Sequence, residues 1–217
     1  MRSCTYGWVL VGLVAMSAGG CGGSSGSSGG LSWLGPNLGG GRTVSHTEKN
    51  NPSGPREWDV KSNRPWRYIV IHHSASDKGN AATIDAYHRN VRGWNGLGYH
   101  FVIDNGNGGP DGRVEVGYRW KNQEYGAHTG NTPGNGHNKY GIGISLVGNF
   151  QDKSPSPAQL AAMEKLVFYL ADKYDISPTD VIGHRDAPGA KTDCPGDRLH
   201  AYVHKTLRPK LARHLGK

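Results

Sequence analysis

Apolar residues beyond position 66 fall into five short runs, each containing β-branched or aromatic residues and bounded by Gly, Pro, Asn or Asp. Runs of this length and composition are typical of β-strands. The pattern therefore predicts five strands, at residues 67–73, 98–104, 114–120, 141–150 and 180–184.

Three other segments place apolar residues at helical spacing: residues 83–94, a segment that begins at Ser156, and residues 197–215. Thr83 is expected to be the N-terminal cap of the first of these helices. In the second segment, Pro157 follows the cap and Gln159 completes a capping box. The element order β-α-β-β-β-α-β-α predicts an α/β fold, in which a mixed central β-sheet is flanked by helices in a single globular domain.

Residues 1–20 have the pattern of a secretory signal. They combine Arg2, an apolar run over 8–16 and small residues before Cys21. The apolar run is too short to span a bilayer as a mature helix. The small residues before Cys21 resemble a bacterial lipoprotein signal, although Ala18 stands where such signals usually carry Leu. We expect residues 1–20 to be removed and Cys21 to be lipidated; plain cleavage and an uncleaved anchor are the alternatives.

The next segment lacks the pattern of folded structure. Residues 22–41 are rich in Gly and Ser, and residues 42–62 are polar without periodicity, so we expect them to bury no core. We therefore predict a flexible linker over residues 22–64 and one globular domain over 65–217. A lipid, a spacer and one domain would make a protein tethered to a membrane of the bacterial cell envelope, facing the periplasm or the cell wall.

The chain is basic, which bears on its partners. The formal net charge is +8, and removal of residues 1–20, which contain one Arg and no acidic residue, leaves +7. A positive balance favours polyanions such as nucleic acid, anionic lipid or anionic wall polymer. Export argues against nucleic acid, and the basic residues are scattered except in the last helix, where we expect a solvated face. We therefore predict no nucleic-acid partner.

Cys194 is one of three cysteines. It has no disulfide partner if Cys4 leaves with the signal and Cys21 carries lipid. An unpaired thiol is reactive in an oxidising compartment unless something holds it, and the polar, turn-forming neighbours argue against an inert buried cysteine. Histidines end two predicted strands, at 72–73 and at His184. One histidine of the pair, His184 and Cys194 could hold a catalytic zinc ion with a position open for water; a structural role for the pair is the alternative.

Five motifs occur in order between residues 69 and 196: IVIHHSAS, GLGYHFVIDNGNG, GAHTGN, NKYGIGISLVGNF and VIGHRDAPGAKTDCPG. They resemble the N-acetylmuramoyl-L-alanine amidase family, which includes phage lysozymes of the amidase type and animal peptidoglycan recognition proteins. The resemblance implies a Zn2+ site with His72, His184 and Cys194 as ligands. Strand alternation supports one ligand from the pair, because His72 and His73 point to opposite faces; we expect His73 to be packed or hydrogen-bonded.

The resemblance also implies catalytic and substrate-binding residues. Tyr99 matches the family's active-site tyrosine, whose hydroxyl would stabilise the oxyanion formed from the scissile carbonyl. Thr192 is expected to support the site near the metal. His128 lies in a region that lines the substrate groove of relatives, so we predict that it binds substrate, with loop stabilisation as the alternative. Cytosolic recycling amidases carry Glu at the position of Ser145 and a carboxylate at that of Cys194, so the proton-transfer residue here stays open.

Three further histidines are predicted to be structural or exposed. His100 follows Tyr99 and should face away from the site by alternation. His200 and His204 lie four residues apart on the last predicted helix, a spacing that can bind metal. No third ligand lies nearby in sequence, so we expect both to be surface histidines.

The implied function is zinc-dependent hydrolysis of the amide bond between N-acetylmuramic acid and L-alanine in peptidoglycan. The expected partners are peptidoglycan or muropeptides, and a membrane through the lipid anchor. One alternative is a peptidoglycan-binding module without catalysis; relatives of that kind typically lack the cysteine. The other alternative is an envelope scaffold held by its lipid.

Overall fold

The computed structural model describes residues 54–61, 64–130 and 132–217. The predicted signal, Cys21 and residues 22–53 of the predicted linker lie outside these ranges. Among the described residues, no helix is both long and apolar enough to cross a membrane.

Five strands form the central sheet: β1 (Tyr68–His73), β2 (Phe101–Ile103), β3 (Val114–Val116), β4 (Gly141–Leu146) and β5 (Val181–Gly183). Their order across the sheet is β3-β2-β4-β1-β5. The pairings β2–β4, β4–β1 and β1–β5 are parallel, whereas β3 runs antiparallel to β2. The sheet is therefore mixed, and the prediction of an α/β fold with a mixed sheet and flanking helices is confirmed.

The described residues form six α-helices: α1 (Ala81–Asn90), α2 (Tyr118–Lys121), α3 (Gly136–Lys139), α4 (Pro157–Tyr174), α5 (Asp197–Tyr202) and α6 (Arg208–His214). A π-helical turn over Val203–Leu207 joins α5 to α6, so the predicted C-terminal helix is continuous but irregular. The wide turn comes just before Pro209, which has no N–H to donate to the preceding turn.

Two helix starts test the capping predictions. Helix α4 begins as predicted, because Ser156 Oγ accepts from Gln159 N at 3.0 Å and Gln159 Oε1 accepts from Ser156 N at 3.3 Å. Helix α1 begins two residues before the predicted Thr83. Its cap is Asn80, whose Oδ1 accepts from Thr83 N at 2.9 Å while Thr83 Oγ1 accepts from Asn80 N at 2.9 Å. Thr83 therefore contributes the second half of a capping box.

The strand predicted over residues 114–120 is wrong in its second half. It ends at Val116, and α2 begins after Gly117. The helical turn brings Trp120 into full burial, with its ring centroid 4.8 Å from that of Phe101. Tertiary packing of one large side chain has overridden the strand propensity of the segment.

Strand alternation gives the sheet two different faces. Ile69 and Ile71 belong to the main core, which includes buried side chains of α4 and the C-terminal helices. Val102 lies in a smaller cluster, against which Ile84 of α1 packs. His72 is in register with Ser145 of β4, which is in register with Val102 of β2. Residues directly opposed in neighbouring strands share a face, so His72 lies on the face opposite the main core.

The packed part of the chain begins before residue 65. Trp58 is 3% exposed and belongs to the main core, with its ring centroid 5.6 Å from that of Tyr169. Its carbonyl accepts a hydrogen bond from the Trp120 indole at 3.1 Å. The expectation that residues 42–62 bury no core is therefore wrong at Trp58. A single aromatic residue in a polar segment has none of the periodicity that marks a core-facing element.

Candidate metal centre

Two histidines meet because the strands that carry them are parallel neighbours. His72 is near the carboxyl end of β1, and His184 directly follows β5. The pairing of β1 with β5 aligns Ile71 with Gly183, one residue before each histidine. Both imidazoles therefore lie at the same edge of the sheet, and their ring centroids are 4.7 Å apart.

The loop after β5 returns Cys194 to this edge. Arg185 N donates to Cys194 O at 2.8 Å, and the Arg185 guanidinium reaches Asp197 Oδ1 at 2.6 Å beyond the loop. Within the loop, Cys194 N donates to Thr192 Oγ1 at 3.1 Å. These bonds bring Cys194 back beside His184, although ten residues separate the two in sequence. Thr192 stabilises the turn that carries the Cys194 thiol.

The three predicted ligands converge. The donor atoms of His72, His184 and Cys194 lie within 4.8 Å of one another. The Nδ1 atom of His72 is 3.6 Å from Cys194 Sγ, and the His73 N–H points to the same sulfur at 3.4 Å. Two imidazoles and one thiol are the donor types that zinc prefers, and three protein ligands are typical of a catalytic site. The arrangement therefore fits the predicted zinc ion.

Burial sets the protonation of these ligands. It is the main cause that holds the pKa of His72 well below its ordinary value and lowers the pKa of His184 to about 4. Both imidazoles are therefore neutral at pH 7, with a lone pair available. Burial also raises the pKa of the Cys194 thiol to about 12 in the metal-free protein. Metal binding must then release the thiol proton, so acid will compete with the metal.

Tyr99 lies beside the predicted ligands, with its ring centroid 5.1 Å from that of His72. It precedes β2, so the prediction that it lies in a strand is wrong by two residues. Burial, and then the nearby Cys194, raise the pKa of Tyr99 above its ordinary value. The phenol therefore keeps its proton at neutral pH and is available as a hydrogen-bond donor.

His128 is brought to the site and is buried there. It is 6% exposed, and both ring nitrogens are engaged inside the protein. Nδ1 lies 3.0 Å from His72 Nε2, and Nε2 lies 3.2 Å from Gly141 O. No ring nitrogen is left to bind substrate, so the structure favours an internal role over the predicted substrate contact. Sequence reasoning missed this role, because nothing in the spacing of His72 and His128 links them.

Two more histidines near the site, His73 and His100, have structural roles. His73 Nδ1 accepts from Phe150 N at 3.3 Å, which makes it a hydrogen-bonded neighbour of the ligands. His100 is fully buried; its Nδ1 accepts from Gly143 N at 2.9 Å and its Nε2 lies 3.1 Å from Glu124 O. Both rings therefore join segments of backbone.

The prediction that His200 and His204 are surface histidines holds only in part, because both are half-buried and hydrogen-bonded to Asp186. Their Nε2 atoms lie 2.7 and 2.9 Å from the Asp186 carboxylate, and their side chains are 26% and 31% exposed. Asp186 also accepts from Gly183 N at 2.8 Å. These hydrogen bonds tie Asp186, at the start of the loop that leads to Cys194, to α5 and the π-helical turn that follows it. Asp186 precedes these histidines by 14 and 18 residues, so their spacing in the sequence did not reveal it.

The cluster of Asp186, His200 and His204 has three metal-binding groups within 4.8 Å of one another, but its hydrogen bonds oppose a metal. The Arg208 guanidinium lies 3.0 Å from His204 Nδ1. A guanidinium only donates, so Nδ1 accepts and the proton sits on Nε2, facing Asp186. A metal on Nε2 would require a proton on Nδ1, which would face the arginine N–H. The cluster is therefore a hydrogen-bonded fastening of the loop.

Known proteins are similar to this chain in fold and in sequence. The model of the N-acetylmuramoyl-L-alanine amidase family matches residues 62–197. Peptidoglycan recognition protein 1 of Bos taurus is 34% identical over 149 residues, which cover 64% of this chain and 72% of the bovine one. The endolysin amidase LysCS of Clostridium intestinale is 29% identical, with a TM-score of 0.54 over 71% of this chain and 86% of its own. A Drosophila PGRP-LB mutant in complex with tracheal cytotoxin is 28% identical, with a TM-score of 0.51 over 66% and 83%.

The buried His100 makes stability depend on pH. Burial lowers its pKa to about 3 in the folded protein, whereas the value in an unfolded chain is 6.5. Below pH 6.5 the unfolded chain therefore binds a proton that the folded protein does not, and stability is lost as the pH falls toward 3. We expect His100→Gln to make the fall in the free energy of unfolding shallower by about 1.4 kcal/mol per pH unit. Denaturant titrations of the metal-free proteins between pH 7.5 and 4.5 measure this; parallel curves would contradict it.

Proposed function

The chain belongs to the N-acetylmuramoyl-L-alanine amidase family, and we propose that it is a zinc-dependent enzyme that hydrolyses the amide bond between N-acetylmuramic acid and L-alanine in peptidoglycan. The observation that carries the proposal is the convergence of His72, His184 and Cys194 at one edge of the sheet, with the donor atoms within 4.8 Å. A site that only recognised peptidoglycan would have no need of a neutral imidazole pair and a thiol beside a protonated tyrosine.

The three converging residues would hold the metal. When bound, zinc would act as a Lewis acid on the scissile carbonyl and activate water for attack at neutral pH. The protein contributes the neutral state of His72 and His184, which leaves their lone pairs free. Two hydrogen bonds also position Cys194: its N–H donates to Thr192 Oγ1, and its Sγ accepts from the His73 N–H.

Tyr99 would stabilise the transition state. Attack on the amide carbonyl places negative charge on its oxygen, and a hydroxyl donor aimed at that oxygen lowers the barrier. The raised pKa keeps the Tyr99 phenol protonated, as a donor must be. Amide cleavage also requires a proton for the departing amine of L-alanine, and the position of Ser145 on β4 carries no carboxylate that could supply it.

Peptidoglycan as the substrate is supported by the relatives. The Drosophila PGRP-LB mutant is in complex with tracheal cytotoxin, and its fold covers 66% of this chain. This favours binding of peptidoglycan or a muropeptide at the same fold here. The net charge of +8 also suits an anionic cell wall.

Catalysis is tested by incubating the protein with purified peptidoglycan and counting new L-alanine amino termini. We expect zinc-loaded protein to release them and Cys194→Ser to lose both zinc and activity. Tyr99→Phe should keep its zinc yet lose roughly 100-fold or more in kcat, because it lacks one donor to the oxyanion. Lys191→Ala, at an exposed position of the same loop, is the control and should retain both zinc and activity.

A different outcome would assign the fold to recognition. If the protein carries a full complement of zinc and sediments with the wall but releases no L-alanine termini, the proposed hydrolysis is wrong. Peptidoglycan recognition protein 1 of Bos taurus, 34% identical, is a relative whose name records recognition.

We also propose that the protein is exported and held at a membrane of the cell envelope by a lipid on Cys21. The support is the signal pattern of residues 1–20 and the small residues before Cys21. In cells fed a labelled fatty acid, Cys21→Ala should lose the label and the membrane fraction, whereas Cys4→Ala should keep both, because Cys4 would leave with the signal. Labelling that survives Cys21→Ala would contradict the proposal.

A further inference from the structure

His128 forms the middle of a hydrogen-bonded chain that ends on a proposed metal ligand. Its Nε2 lies 3.2 Å from the carbonyl oxygen of Gly141, and its Nδ1 lies 3.0 Å from Nε2 of His72. On the other side of the His72 ring, Nδ1 is 3.6 Å from Cys194 Sγ. One line of contacts thus runs from the backbone of β4 through two imidazoles to the thiol.

The donor and the acceptor of each of these hydrogen bonds follow from the carbonyl group of Gly141 at one end. A carbonyl oxygen can only accept, so His128 must carry its proton on Nε2. His128 is only 6% exposed, and burial disfavours a charged ring, so the imidazole is neutral and Nδ1 holds a lone pair. That lone pair can only accept, so the proton of His72 sits on Nε2. The Nδ1 lone pair of His72 is then directed to the side of Cys194.

We propose that His128 is a positioning residue that selects the tautomer of His72, so that Nδ1 of His72 is the atom presented to the metal. Histidines that bind metals usually donate their second N–H to a carboxylate, a backbone carbonyl or water. Here His128 takes the place of that acceptor, and its own tautomer is fixed by the hydrogen bond from its Nε2 to Gly141 O. The inference rests on the metal site of the proposed function but not on the hydrolysis.

The surroundings of His128 are shaped for this one orientation. A Cβ atom on Gly143 of β4 would lie 2.5 Å from the His128 ring, and one on Gly126 would lie 2.3 Å from it. Neither position has space for a side chain while the ring stays where it is. The backbone of His128 is also held, because its N–H donates to Asn138 Oδ1 at 2.8 Å. Two glycines and one buried amide therefore orient the ring that orients His72.

The test compares two substitutions of nearly equal shape. In His128→Asn, an amide oxygen takes a position close to that of Nδ1 and can accept from His72; in His128→Leu, a methyl group takes that position and cannot. Both variants lose the bond to Gly141 O, so the comparison isolates the acceptor. We expect the full-length His128→Leu protein to bind Zn2+ about 10- to 100-fold more weakly than wild type, and His128→Asn to stay within a few-fold. Competition with a chelating indicator measures the affinities, and circular dichroism checks the folding.

The tautomer is measured directly in the metal-free protein. Long-range 1H–15N correlation spectra of 15N-histidine-labelled wild type should show the His72 proton on Nε2 and the His128 proton on Nε2. A proton on Nδ1 of His72, or equal Zn2+ affinities for the Leu and Asn variants, would overturn the proposal. Should His128→Leu fail to fold, the wild-type spectra still decide it. Zinc-loaded wild type without amidase activity would overturn the proposed function alone.

Discussion

Parallel pairing of β1 with β5 on one side and β4 on the other is the constraint on which the site depends. It brings His72 and His184 to one edge of the sheet, although a long stretch of chain separates them. It also places Gly143 of β4 where the ring of His128 needs empty space. The backbone hydrogen bonds of the sheet are thus what set the distances between the imidazoles, and the loop to Cys194 has only to close over a preformed pair.

The site is a group of polar side chains on the face opposite the main core, and its stability depends on how its buried imidazoles are hydrogen-bonded. Burying a polar group without a partner is costly, and burying a charged one costs more. The protein meets this with neutral rings whose nitrogens are bonded to backbone or to each other, as at His100 and His128. The same neutrality leaves lone pairs for a metal. The remaining proton, on the Cys194 thiol, is the one that a metal must displace.

The elements that local physics controls could be predicted from the sequence. All five strands were located, although the third ends at Val116, because apolar runs and flanking turns act within each segment. The start of α4 was found because Ser156 and Gln159 cap it locally. The ligands His72, His184 and Cys194 came from the motifs, and the structure brings them together. The errors involve contacts made across the fold. Trp58 joins the core through Tyr169, a contact that no periodicity reveals.

The same distinction explains the histidines. His128 and His72 meet only when β4 lies beside β1, and Asp186 reaches His200 and His204 only when the last helical segment packs against the loop. Spacing along the chain carries no signal for either cluster, so the contacts of His128, His200 and His204 with these partners could not be predicted. X-ray absorption at the zinc edge of the loaded protein tests the central claim most directly. We expect one sulfur ligand at about 2.3 Å from the zinc together with nitrogen ligands at about 2.0–2.1 Å; a zinc ion without a sulfur ligand would contradict the proposed site.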